Sequence, residues 1–536
     1  MSMAWTQHLI VVPVLLPLLC AALLIPVDER RHQLKFAVNM ASVFVQLVIA
    51  IILVMRADAA DRAEVYLVSN WAAPFGIVLL LDRLSAMLLL LTSILAGAAL
   101  IYAAQRWSRI GVHFHSLFQF LLMGINGAFL THDLFNMFVF FEVMLAASYG
   151  LVLHGYNASR MRAGLQFIAV NLAASLIFLI ALALIYGASG TLNMSDLARR
   201  VGELNELDLA LLKGGMTALA IAFLVKSAMW PLGFWLPTTY AAASPPVAAM
   251  LVLTTKIGVY AILRVWTLVF PGTSEVASGF AHELFLYGGM ATMVFGAAGM
   301  LATDTTGRMA GYAAIVSSGT LLAAIGYGSP QLVVAALYYL IASTLAVGTF
   351  MLLIELIDRI RSPGAALLAL TVEAFAIEEK PEEPVGVGIP AALAFLGLAF
   401  TGCALIITGL PPLAGFVGKI SLIHSLLGDG ETGSVSGVAW VLIALLMLSG
   451  FAAIIALLRF GVRTFWAIGR PVPPRLQLSE AAPVGMLLAI TLGMTVSAGP
   501  AFDYLGRVSD DLHQTGRYID AVLSEPPVPS PGEEGA

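Results

Sequence analysis

Charge is what this sequence has least of. Its 536 residues carry 27 Lys or Arg and 32 Asp or Glu, 11% in all, against roughly 25% for an ordinary soluble domain. So few charges could not cover a soluble protein of this length. A cytosolic enzyme, a secreted disulfide scaffold and a disordered chain are excluded together. Cysteine is nearly absent: Cys20 and Cys403 stand in separate apolar runs and offer neither a disulfide framework nor a metal cluster. No basic tract points to nucleic acid, and the net charge is −5. Glycine-rich phosphate loops, nucleophile elbows and His/Cys groups at ligand spacing are also missing. The expectation is a chain with no cofactor, no metal and no redox or ATP chemistry of its own. What remains is apolar, 60% of residues with mean hydropathy +0.93. That composition implies an all-α polytopic membrane protein.

A membrane helix needs about 20 mostly apolar residues. Cutting at charged, Pro and Gly breaks gives fourteen spans, from 8–27 and 36–55 to 437–467 and 480–500. The twelfth, 388–425, is interrupted by ITGLPPLAGFVGK. The opening MSMAWTQHLIVVPVLLPLLC reads as a first span, because its basic residues follow the apolar run instead of preceding it. With both termini outside, fifteen Lys and Arg fall in inner loops. Eight fall in outer ones: Arg56, Arg62, Arg199, Arg200, Lys213, Arg264, Arg507 and Arg517. That bias supports the count and the orientation. Residues 359–387 read as a charged cytoplasmic connector, and the Pro-rich acidic EPPVPSPGEEGA as a disordered tail.

Four ionisable residues lie at membrane depth: Glu142, Lys226, Lys256 and Lys419. Each costs about 2.5–3.5 kcal/mol at a helix centre on insertion scales. Structural ion pairing is the bland explanation, but three lysines cannot all pair with one glutamate. An ammonium held from water and from a counter-charge gives up its proton readily, which suits a proton relay. Lys226 is followed by Pro231, Pro237, Pro245 and Pro246, and Lys419 is preceded by Pro411 and Pro412. Prolines that merely kink helices would explain either break alone. Two breaks, each beside a buried lysine, suggest two halves with corresponding broken helices.

Hydroxyls could link the lysines: Ser227, Thr254 and Thr255 beside them, then Ser317, Ser318, Tyr338, Tyr339, Ser343 and Thr344 in the second half. Taken singly, each is more simply a packing hydroxyl. His424 is a deeper proton-exchange candidate, while His113, His115, His132 and His154 read as interfacial. Asp82–Arg83 reads as an interfacial pair.

Glu142 in FFEVMLAASYGLVL, Lys226 in VKSAMWPLGFWLPTTYAAASPPVAAML, Lys256 in TTKIGVYAILR and GLPPLAGFVGK ending at Lys419 form a combination. It resembles the antiporter-like subunits shared by Mrp-type cation/proton antiporters and the membrane arm of respiratory complex I. The LPTTYAAASPP wording, the DERRH loop and LYYLIASTL are most similar to the D-type branch of the Mrp group. The resemblance implies two inverted five-helix repeats with broken helices, within 113–270 and 271–468. These are flanked by three helices in 1–112 and by a last helix and tail in 469–536. It also implies a Glu142–Lys226 ion-pair gate, a central relay residue at Lys256 and a terminal one at Lys419. Its partners would be other membrane subunits of one complex in a bacterial plasma membrane, exchanging Na+, K+ or Li+ for protons. Where that family often has a His in the eleventh span, this chain has Ala342, Ser343 and Thr344, so its relay would run through hydroxyls and water. Two other readings stay open: a redox-driven proton pump built on the same residues, and a non-conducting scaffold copy.

Overall fold

The computed structural model describes residues 7–155, 157–271, 279–360, 390–428, 435–465 and 476–527. Most of the connector, from residue 361, and the tail from residue 528 lie outside those residues. Helices α1 (Val12–Leu24), α2 (His32–Ala59), α3 (Arg83–Ala103), α4 (Phe114–Leu130), α5 (Leu134–Leu153) and α6 (Ala158–Ser189) come first. The next four are α7 (Glu206–Lys226), α8 (Leu236–Ala242), α9 (Pro245–Val269) and α10 (His282–Ala302). Then come α11 (Thr306–Tyr327), α12 (Pro330–Asp358), α13 (Ala391–Thr408), α14 (Ala414–Gly428), α15 (Gly437–Phe465) and α16 (Leu478–Val496).

Twelve of these are long and apolar enough to cross a membrane, and α1, α4 and α14 are shorter apolar helices. α13 and α14 share one crossing. Phe400 of α13 packs on Phe350 and Phe465 towards one end, whereas Ser425 of α14 donates to the Gln331 carbonyl at the other. Twelve helices of spanning length and three shorter apolar ones among the described residues agree roughly with the fourteen spans read from the sequence, as in a multi-pass membrane protein.

Local chemistry sets the ends of these helices. Asp82 and Asp133 cap α3 and α5 by accepting the backbone N–H of Ser85 and of Asn136. Prolines open α9 and α12, where a missing N–H costs nothing. Both predicted breaks are present. α7 ends at Lys226, and the chain turns irregularly until α8; α13 ends at Thr408, and α14 begins at Ala414. Gly409, at φ +78, makes the second turn in a conformation that side-chain-bearing residues rarely adopt.

Two features are additions to an all-α expectation. A short antiparallel hairpin, β1 (Glu64–Leu67) with β2 (Val78–Leu81), leads into α3. After α16 an amphipathic arm, α17 (Ala498–His513) and α18 (Thr515–Leu523), folds back on the start of the chain. Arg83 Nη1 binds Asp511 Oδ2 at 2.6 Å, Arg507 Nε binds Asp58 Oδ1 at 2.9 Å, and Tyr504 donates to the Arg83 carbonyl. The arm buries Leu505, Val508, Leu512, Tyr518 and Val522.

Between α2 and α4 runs a ladder of buried polar side chains. Asn39 Nδ2 meets His115 Nδ1 at 2.8 Å, Gln119 Nε2 donates to Asn39 Oδ1 at 2.6 Å, and Ser42 donates to Gln119 Oε1 at 3.2 Å. Farther along, Asn126 Nδ2 donates to Gln46 Oε1 and to the Pro13 carbonyl, both at 2.9 Å. Pro17, four residues on in α1, has no N–H to take that carbonyl. Replacing Gln119 with leucine leaves Asn39 and Ser42 without their partner. Thermal unfolding in detergent should show a loss of about 1–3 kcal/mol; an unchanged midpoint would mean the ladder adds no stability.

Several sequence-based expectations are corrected. Asp82 does not pair with Arg83; its partner is Arg264, assigned from sequence to an outer loop but buried within α9. His115, His132 and His154 stand at helix ends, as read from the sequence, but are buried among side chains, while His113 is exposed at the start of α4. His424 is exposed on α14 and does not line the cavity that Lys419 lines.

Candidate functional site

Glu142 and Lys256 lie near the middle of α5 and α9, Lys226 ends α7 at the first break, and Lys419 lies in the second turn of α14, just after the second break. Lys226 ends α7 and is 3% exposed. Its Nζ lies 3.3 Å from Ser175 Oγ on α6 and 5.7 Å from the centre of the Phe141 ring. No ion pair within 4.0 Å joins it to Glu142. Glu142 Oε1 is instead buried without a hydrogen-bond partner. Glu142 and Lys226 are therefore not ion-paired here, and Ser175 is the lysine's hydrogen-bond partner.

α9 packs tightly on this break. A Cβ added at Gly258 would sit 2.9 Å from both the Phe223 carbonyl oxygen and the Ser227 nitrogen, and 3.2 Å from Lys226 Cβ. Only a glycine lets the helix bearing Lys256 approach the end of α7 this closely. Lys256, 1% exposed, donates from Nζ to Ser317 Oγ at 2.7 Å. Ser317 Oγ lies 2.8 Å from Ser343 Oγ on α12. A cavity of ≈ 20 Å³, lined by Ser317, Tyr339, Ser343, Ser449 and Lys419, continues from there. It has room for about one water.

Lys419 closes the row. Its Nζ donates to the Thr408 carbonyl at 2.8 Å and to the Ile407 carbonyl at 3.4 Å. Both acceptors are at the end of α13, where the break leaves carbonyls with no helical N–H. A helix C-terminus also carries partial negative charge, which favours an ammonium there.

The other candidate hydroxyls divide by where their protons go. Ser227, Thr254, Thr255 and Thr344 donate to carbonyls of their own helices, at 2.7, 2.7, 2.8 and 2.6 Å. Ser318 Oγ is buried without a partner, and Tyr339 lines the cavity. Tyr338 reaches away to the Met494 carbonyl. Ser317 and Ser343 are hydrogen-bonded to Lys256 and to each other, Ser343 also donates to the Leu340 carbonyl at 3.2 Å, and with Tyr339 both line the cavity that reaches Lys419. Sequence reasoning missed Ser175, Gly258 and the two carbonyls. Ser175 stands in AASLIF beside no charge or break, so nothing in the sequence marks it.

At one end of α9, Arg264 Nη1 lies 2.7 Å from Asp82 Oδ2, with side chains 3% and 4% exposed. Burial by itself would raise the Asp82 carboxyl, but the Arg264 guanidinium holds it below its usual range. Burial, with Arg264 nearby, pushes His132 down to about 3.

Three comparisons bear on this arrangement. A family model described as NADH:quinone oxidoreductase/Mrp antiporter, TM, matches residues 131–432, a window that includes all four ionisable residues. The probable D subunit of a K+/H+ antiporter from Rhizobium meliloti (strain 1021) is 51% identical over 532 residues, 97% of this chain and 98% of that one. The D subunit of a Na+/H+ antiporter from Bacillus subtilis (strain 168) is 31% identical over 525 residues, 97% of this chain and 100% of that one. Among solved structures, a chain of the Mrp complex from Dietzia sp. DQ12-45-1b superposes with a TM-score of 0.82 at 26% identity, covering 96% of this chain and 99% of that one.

Proposed function

The chain belongs to the transmembrane family shared by NADH:quinone oxidoreductases and Mrp antiporters, and from that premise we propose that it is the proton-translocating D-type member of a multisubunit Na+(K+, Li+)/H+ antiporter. It is a secondary transporter subunit, and its partners are other membrane subunits of the same complex. The observation that carries the relay is the hydrogen-bonded row Lys256–Ser317–Ser343, continued by a cavity to Lys419. It would give a proton at Lys256 a lateral path to Lys419, and the hydroxyls and a cavity with room for about one water stand where the family resemblance implies a histidine in other members.

The mechanism is electrostatic. Glu142 brought against Lys226 favours the charged lysine; separation, as here, favours release of its proton towards Lys256. A monovalent cation, the cargo, arriving nearby would repel that proton in the same way. Ser175 holds the Lys226 amine in its released position. The paired breaks after Lys226 and before Lys419 support dividing the chain into two inverted repeats, 113–270 and 271–468. The basic bias of the loops supports an orientation with both termini outside, and the bacterial relatives support a plasma membrane location. The two named relatives favour cation exchange over a redox-driven pump.

Substituting Lys226 by alanine should abolish cation-dependent proton exchange in everted vesicles, a fall of at least about 100-fold, while the complex still assembles. Full exchange in that variant would sink the assignment.

A further inference from the structure

Arg264 stands eight residues beyond Lys256 on the same helix, about 12 Å along its axis. Tyr260 lies between them on the same flank. Its hydroxyl accepts from Arg264 Nε at 3.3 Å and donates to the Phe129 carbonyl at 2.8 Å. Beyond Arg264 the polar groups continue outward. Asp82, its ion-pair partner, lines a cavity of ≈ 30 Å³ between the hairpin and the C-terminal arm, whose rim includes the exposed Asp61 and Arg62. Tyr518 of α18 lines the same cavity with its ring centre 5.3 Å from Arg264 Cζ. His132 closes the flank, 3.5 Å from the Tyr518 hydroxyl and 2.7 Å from Ser195 Oγ.

A proton on Lys256 therefore has two polar routes: sideways through Ser317 and Ser343, or along α9 past Tyr260 to the outer cavity. The second is short, and a fixed guanidinium stands in it. That group stays charged at every working pH. Asp82, its counter-charge, lines the outer cavity, whereas Arg264 Nε faces Tyr260 on the side of Lys256, so a proton coming from Lys256 meets the positive end of the pair first and is repelled, as by arginines in narrow selective pores.

We propose that Arg264 is a positioning residue that works as an electrostatic plug: it blocks the direct way out from Lys256 and forces the proton sideways towards Lys419. Asp82 anchors the plug, and Tyr518 and His132 deny water a way around it. The idea rests on the relay reading of Lys256 and adds to it the reason the proton turns. A purely structural ion pair would affect assembly but would not govern leakage.

The test uses the whole complex in proteoliposomes carrying an imposed pH gradient and no transported cation. Arg264→Gln leaves Asp82 buried and unpaired, which can prevent folding. The paired variant Asp82→Asn/Arg264→Gln removes both charges while keeping two hydrogen-bonding side chains. In either variant the gradient should decay about tenfold faster or more. Arg264→Lys, which keeps the positive charge, should stay tight. Adding Lys256→Met to the paired variant should restore tightness, because the leak draws on the relay. An assembled paired variant as tight as the parent overturns the plug, and so does a leak that survives Lys256→Met. Failure of the relay reading looks different: it is full antiport in Lys226→Ala, whatever Arg264 does.

Discussion

Exchanging Lys256 for methionine is expected to abolish coupled antiport, a loss of at least about 100-fold, with the subunit still incorporated in its complex. Methionine fills nearly the same volume and removes the charge, so packing in α9 changes little. What disappears is the donor 2.7 Å from Ser317, where the proposed lateral path begins. Ser317→Ala should be milder, about tenfold, since it removes one hydrogen bond beside a cavity that can admit a water in its place. Because Ser317 and Ser343 act in series, the double alanine variant should be little worse than Ser317→Ala alone. Initial rates of cation-induced pH change across everted vesicles, with complex content measured on native gels, separate these outcomes. Strictly multiplicative losses would mean the two hydroxyls serve different steps.

Gly258→Leu is expected to impair transport strongly without touching a titratable group. Its Cβ would meet the Phe223 carbonyl oxygen and the Ser227 nitrogen at 2.9 Å, and backbone atoms cannot move aside as a flexible side chain can. α9 must shift away from the end of α7, carrying Lys256 from Lys226. Overpacking of this kind costs about 1–3 kcal/mol, and a relay whose members must stay within reach of each other suffers more than stability does. Transport should fall at least about tenfold, with Gly258→Ala intermediate. Wild-type rates in Gly258→Leu would show that the close approach of the two helices is incidental.

Charge was what made the relay legible. Glu142, Lys226, Lys256 and Lys419 are visible in the sequence because each interrupts an apolar run, and Pro231, Pro411 and Pro412 announce the breaks beside two of them. Arg264 gave the same signal inside an apolar run, yet its nearness to a span's end let it pass as a loop residue. The hydroxyls could not be sorted in advance. Ser317 and Ser318 are adjacent and chemically identical, but successive helical residues point about 100° apart, so one joins Lys256 and the other has no partner. The carbonyls that hold Lys419 have no side-chain signature at all. The C-terminal arm does have an apolar face, at Leu505, Val508, Leu512 and Val522, but a stretch too polar to span reads as solvent-exposed until the hairpin it covers is known.

That arm sets an order of events in synthesis. Asp82 leaves the ribosome 182 residues before Arg264, and His132 precedes Tyr518 by 386. Both halves of the bundle must be threaded into the bilayer before the last aromatic ring can settle against the guanidinium. A chain truncated after α16 would retain Lys226, Lys256 and Lys419 and still lack the Tyr518 ring beside Arg264 and His132, so that contact can form only after both halves are in place.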